Sequence, residues 1–109
     1  MWKTTLHKRC SFQAGFSNFE GSMILIYDTE TTGLPRDWNA PITDGDNWPR
    51  LVQLAWQLHD ETGKLLSRGN HVVCPDGFTI PFNSTKIHGI TTERAQEEGA
   101  PLAEVMEAF

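Results

Sequence analysis

The sequence predicts an α/β domain in which three antiparallel strands are followed by helices. Three observations carry this. Met23-Ile-Leu-Ile-Tyr27 is a continuous apolar run rich in β-branched and aromatic residues, Leu51 to His59 alternates apolar with polar side chains, and helix-capping patterns cluster after residue 90. With 109 residues, 39% of them hydrophobic, the chain has the size and apolar content of one small globular domain. Disorder is excluded by that apolar content, and no apolar run approaches the roughly 18 residues of a membrane-spanning helix.

Residues 1–22 read as a disordered or non-native extension. They carry Lys3, Lys8 and Arg9 against the single acid Glu20 and lack a regular apolar period. They also lack the Arg-rich amphipathic pattern and the apolar core of a targeting leader. Residues 23–109 form the domain proper, with 6 basic and 13 acidic side chains, so the body is more acidic than the whole-chain charge of −5. Such a charge argues against binding nucleic acid mainly by neutralising many phosphates, but is compatible with holding phosphates through metal ions. Cys10 and Cys74 offer neither a disulfide framework nor a zinc-ligand spacing, which makes a cytoplasmic compartment the expectation.

The first strand, Met23–Tyr27, is apolar throughout and is expected to be buried on both faces. In the second, Val52, Leu54, Trp56 and Leu58 share one face while Gln53, Gln57 and His59 share the other. Asp60-Glu-Thr-Gly63 then forms a turn, and a third strand runs from about Lys64 to Val73, with Gly69 read as a bulge. Pro75-Asp-Gly77 ends it. A loop through Pro81 and Asn83 leads to a short helix capped by Thr91 and stopped by Gly99 in the left-handed conformation. Pro101 suits the first turn of a last helix, whose Leu102, Val105, Met106 and Phe109 fall at i, i+3, i+4 and i+7.

Tyr27-Asp-Thr-Glu-Thr-Thr-Gly-Leu34 carries the most chemistry. Asp28 and Glu30 stand two apart, so on an extended backbone both carboxylates project from one face, roughly 6.6 Å apart along the strand. A solvated turn is the ordinary reading of a bare D-x-E. Following an apolar strand, however, such a pair is costly to desolvate without positive charge, and hard divalent cations are the natural partners. Two such ions activate water and stabilise the leaving oxygen of a phosphodiester. Thr31, Thr32 and Gly33 allow hydroxyl and backbone groups to approach a sugar or phosphate.

This D-T-E-T-T-G-L string after a strand resembles the first motif of the DEDD exonucleases, proofreading-type 3′-to-5′ exonucleases. Ile87-His-Gly-Ile-Thr91 resembles a second family feature, an H-G-I-T loop that opens the first helix and flanks the substrate. The resemblance implies the truncated, N-terminal portion of a ribonuclease H-like fold. It implies Asp28 and Glu30 as catalytic ligands of two divalent cations, Mg²⁺ or Mn²⁺, and Thr29, Thr31, Thr32, Gly33, Leu34, Ile87 and His88 as substrate-binding residues. The substrate implied is the single-stranded 3′ end of DNA or RNA, cut to nucleoside monophosphates, with a DNA polymerase as a further partner and no membrane. An H-G-I-T loop points to the DEDDh type.

The family's second and third acidic motifs are expected beyond Phe109. His71-Val-Val-Cys-Pro-Asp76 spells H-x-x-x-x-D, but before the helices, and is read as coincidence. The chain alone is therefore expected to be inactive. The alternative is a catalytically incompetent fragment or module that binds a polymerase or single-stranded nucleic acid.

Between the motif and the second strand, Pro35 to Arg50 forms a 16-residue connection, long for a compact domain. Trp38 or Trp48 there is placed to stack on an unpaired base, or Trp48, before Pro49, to anchor the loop. Asp44-Gly-Asp46 lacks the ligand spacing of a calcium loop and reads as a turn. Asn83-Ser-Thr85, formally a glycosylation acceptor, reads as the start of a helix.

Overall fold

The computed structural model describes residues 6–13 and 20–109, with side chains described from Ser22 onward. Four strands form one antiparallel sheet in the order β1-β2-β3-β4, where β1 is Leu6–Gln13, β2 Glu20–Thr31, β3 Leu51–Asp60 and β4 Leu65–Val72. Three helices follow, α1 (Phe82–His88), α2 (Thr92–Glu98) and α3 (Leu102–Ala108). The α/β order read from the sequence holds, with β2, β3 and β4 as the three antiparallel strands before the helices.

Strand β1 lies within the stretch read as an extension. Leu6 to Gln13 pair with Tyr27 to Glu20 across the edge of β2 that β3 leaves open. The reason is the ladder: an apolar strand with one unpaired edge takes any segment that can satisfy its backbone groups. The remainder of the reading for residues 1–22, at 1–5 and 14–19, falls outside the described residues.

Both core clusters rest on the alternating face of β3. Val52 packs with Ile80, Ile90 and Ala95, and Leu54 and Trp56 pack with Val73 and Val105, with Leu25 and Tyr27 of β2 against them. Val52, Leu54 and Trp56 are buried as their spacing demands. Met23 to Tyr27 are half-buried, which corrects the expectation of a strand covered on both faces. The clusters that hold the helices engage Leu25 and Tyr27, whose alternation places Ile24 and Ile26 on the opposite face.

The Asp60 turn forms as read. Its Oδ1 accepts from Thr62 N, Thr62 Oγ1 and Lys64 N, and Gly63 takes φ 86°. Gly69 is not a bulge, since the register of β3 and β4 shifts at Leu58/His59 instead. Gly69 lies opposite Trp56, and a Cβ there would run into the indole ring. That ring stacks on His71, with centroids 5.4 Å apart. Glycine is needed for the space it leaves.

Helix α1 includes Asn83-Ser-Thr85, the triplet read as the start of a helix, and fills the stretch read as a loop through Pro81 and Asn83. It starts at Pro81 without a side-chain cap and ends at Gly89, the left-handed glycine (φ 78°). Thr91 caps α2 by accepting from Arg94 N at 3.1 Å, and Gly99 ends it in an extended conformation (φ −75°), which corrects the left-handed reading. Gly99 is small for another reason: a Cβ there would meet Ala95 O and the Cys74 backbone. Around it, Cys74 N donates to Ala100 O and Ala100 N to Val72 O, tying the α2–α3 junction to the end of β4. Pro101 is the N-cap of α3, one position before the first turn. On α3 the four apolar positions divide: Val105 is buried, whereas Leu102, Met106 and Phe109 remain substantially exposed. Burying Val105 contributes about 1.5–3 kcal/mol. Among the described residues, no helix is long and apolar enough to cross a membrane.

Candidate functional site

The site is built on the last third of β2. The sequence places the acidic motif after a strand, but β2 runs on to Thr31, so Asp28 and Glu30 are strand residues. Asp28 lies opposite Ala55 and Glu30 opposite Gln53, and the register shifts only after Glu30. Up to that shift the period of two is intact, which puts both acids on the face of the sheet opposite Leu54 and Trp56. Strand propensity alone disfavours Asp and Glu. Pairing with β3 holds them extended.

Asp28 is 7% exposed and, among the described residues, its Oδ1 accepts one hydrogen bond, 3.0 Å from Thr29 N. Glu30 is half-buried. Among the described residues, neither carboxylate forms an ion pair, since the one salt bridge there joins Arg94 to Glu98. The other Asp28 oxygen has no hydrogen-bond partner among the described residues and is open to a cationic or hydrogen-bonding ligand. The described residues contain no group of three or more His, Cys, Asp or Glu placed to hold a metal ion. Two carboxylates match the donor set of one Mg²⁺ that keeps water and substrate oxygens as its other ligands. A second ion requires further donors.

Beyond Glu30 the chain turns sharply and is fastened at each step. Thr31 Oγ1 donates to Gly33 O at 2.9 Å, and Gly33 takes φ 149°. Thr32 N donates to Arg50 O at 3.0 Å, while Thr32 Oγ1 accepts from Arg50 N at 2.9 Å. The Thr31 hydroxyl thus spends its proton locally, and the Thr32 hydroxyl keeps its own to donate. Thr29, beside Asp28, is exposed on the helix-bearing face, away from the carboxylates. Leu34 is among the most exposed side chains.

Helix α1 is brought to this loop by Ser84. Its buried hydroxyl donates to Thr32 O at 2.6 Å. The H-G-I-T segment therefore closes α1 and opens α2, rather than opening the first helix. His88 Nδ1 accepts from Ile90 N at 3.1 Å, which assigns the proton of a neutral ring to Nε2. That Nε2 is buried and has no hydrogen-bond partner among the described residues. Ile87 is exposed. The structure thus joins the α1 segment to the Thr31–Gly33 turn, on the helix-bearing side of the sheet, while the unpartnered His88 Nε2 is buried and Asp28 and Glu30 lie on the other face.

Ser84 and Arg50 were not singled out by sequence reading. Ser84 sits in the Asn83-Ser-Thr85 triplet, and only its partner 52 residues away gives it a role. The other histidines serve elsewhere: His59 hydrogen-bonds Gly63 O and Gln57 Oε1, and His71 stacks on Trp56.

No family model, curated protein or solved structure matches the chain.

Proposed function

We propose that this chain supplies the first acidic pair and the adjoining nucleotide-facing elements of a metal-dependent 3′-to-5′ exonuclease of ribonuclease H-like fold. The observation that carries the reading is the placement of Asp28 and Glu30 on one face at the end of β2, with Asp28 buried and lacking a cationic partner among the described residues. A bound divalent ion supplies charge for the leaving oxygen and lowers the pKa of bound water. The chain's own residues orient the substrate. Asp28 and Glu30 provide the oxygen ligands, the Thr32 hydroxyl offers a donor, and exposed Leu34 and Ile87 offer apolar surface to a terminal nucleotide. The remaining carboxylates and the general base come from outside the described residues, so the chain alone is inactive. Mg²⁺ or Mn²⁺ suits the site, and the substrate is a single-stranded 3′ end of DNA or RNA.

A second reading is a module that binds single-stranded nucleic acid or a polymerase without hydrolysing anything. The absence of a third acidic ligand among the described residues favours it for the chain by itself.

Calorimetric titration of the chain with thymidine 5′-monophosphate, with and without Mn²⁺, tests the proposal. Binding should require Mn²⁺ and disappear in Asp28→Ala and Glu30→Gln. Metal-independent binding, or none, would count against it. Where two further carboxylates complete the site, Asp28→Ala should abolish release of nucleoside monophosphates from a 3′-labelled strand.

A further inference from the structure

The connection from Pro35 to Arg50 is preorganised around an exposed indole. Asn47, buried within it, grips the backbone of Asp37 from both sides: Asp37 N donates to Asn47 Oδ1 at 2.7 Å and Asn47 Nδ2 donates to Asp37 O at 2.9 Å. Asp37 Oδ1 in turn accepts from Asn39 N at 2.9 Å, so the backbone is fixed on both sides of Trp38. Trp48 is the anchor. Its indole N–H donates to Pro41 O at 2.9 Å, and its ring meets Trp38 edge-on, with centroids 6.5 Å apart and planes at 79°.

Trp38 itself is 69% exposed. An edge-on neighbour steadies an indole and leaves one face free. Both ends of the loop are pinned beside the carboxylates, because Thr31 pairs with Leu51 and Thr32 with Arg50. Trp38 is eight residues from Glu30, which bounds their separation at about 28 Å. A single strand whose 3′ end sits at Asp28 and Glu30 would cover even that maximum separation within several nucleotides.

We propose that Trp38 is a stacking platform for an unpaired base of a single-stranded nucleic acid, a few nucleotides from the end held at the carboxylates. The proposal rests on the nucleic-acid reading above and adds a subsite to it. Stacking on a tryptophan is indifferent to sequence, because every base has a π-face. Exposed Arg36 and Arg50 flank the loop, but Arg50 lies over the Phe78 ring and Asp37, Asp44 and Asp46 in the loop are exposed, so few phosphates are neutralised and the salt slope should be shallow. A net acidic chain binding through stacking should show that weak salt dependence.

Fluorescence anisotropy with end-labelled (dT)8 in Ca²⁺, on the intact chain, Trp38→Ala and Trp38→Phe, tests the subsite. Calorimetry with thymidine 5′-monophosphate and Mn²⁺ runs alongside. Trp38→Ala should weaken (dT)8 binding roughly tenfold or more, the size of one lost stack. Trp38→Phe should recover most of the loss, and mononucleotide binding should be unaffected in both. Equal (dT)8 affinity in all three chains overturns the subsite while leaving the exonuclease reading intact. Loss of mononucleotide binding in Trp38→Ala, unrescued by phenylalanine, overturns it in favour of a purely structural role. Trp38-dependent (dT)8 binding with no Mn²⁺-dependent mononucleotide binding supports the platform and removes the exonuclease. If the intact chain binds neither probe, both fall.

Discussion

The Ser84 hydroxyl donates a 2.6 Å hydrogen bond to the Thr32 carbonyl, joining residues 52 positions apart. Ser84 is buried, so removing the hydroxyl leaves the Thr32 carbonyl short of a partner. Ser84→Ala should destabilise the chain by about 1–2 kcal/mol, within the range for an orphaned polar group. Urea denaturation should show a lower midpoint with an unchanged slope. The variant should also weaken Mn²⁺-dependent mononucleotide binding, because α1 loses its tie to the turn after Glu30. An unchanged midpoint would mean that the bond is exchanged for water without cost.

Gly69 and Trp56 form a second close pairing across β3 and β4. A methyl group at residue 69 overlaps the indole ring, which is held between Gly69 and the stacked His71 and is buried in the core. Gly69→Ala should cost about 1–3 kcal/mol, as overpacking does, and alter the near-ultraviolet circular dichroism of the tryptophans. Gly63→Ala makes the contrast. Its Cβ would meet open space, so it costs only the strain of φ 86°, about 1 kcal/mol, with the aromatic signal unchanged.

These two pairings mark where sequence reading succeeds and where it stops. The alternation of β3, the Asp60 turn and the Thr91 cap are local patterns, and each appears in the structure as read. The shared face of Asp28 and Glu30 was also legible, because a period of two needs only an extended backbone. The extent of β2 was not, since Asp28 and Glu30 are poor strand formers and are held extended by β3. The start of α1 near Asn83-Ser-Thr85 was legible but its extent was not, because seven residues with no side-chain cap depend on tertiary support, here the bond from Ser84 to Thr32. Gly69 invited a bulge because its real constraint, the ring of Trp56, lies on another strand.

Asp60 makes stability depend on pH in a predictable direction. Its carboxyl lies below its ordinary value of 3.8, chiefly through the Thr62 side-chain hydrogen bond and then the Lys64 backbone bond. A depressed folded-state pKa stabilises the fold above the unfolded value, and that contribution fades as pH falls through the folded one. The thermal midpoint should therefore drop as pH falls from about 4.5 through the lowered value. In Asp60→Asn this part of the drop should be smaller, since the variant has no carboxyl to protonate. Parallel midpoint curves for both chains between pH 5 and 2.5 would contradict the assignment.

Strand β1 gives the last prediction. It covers eight residues of β2, from Glu20 to Tyr27, and its described pairing stops one residue before Asp28. Without it, β2 presents a free edge of apolar residues from Met23 to Tyr27, the kind of edge that pairs with another chain. Deleting residues 1–22 should therefore convert the protein to dimers or larger species in sedimentation velocity, with the association increasing with concentration. Charge at the edge opposes such pairing, so Ile24→Lys and Ile26→Lys in the deleted chain should restore the monomer. A deleted chain that sediments as a monomer at every concentration would show that β1 is dispensable to the sheet, and that residues 1–22 are the extension their composition resembles.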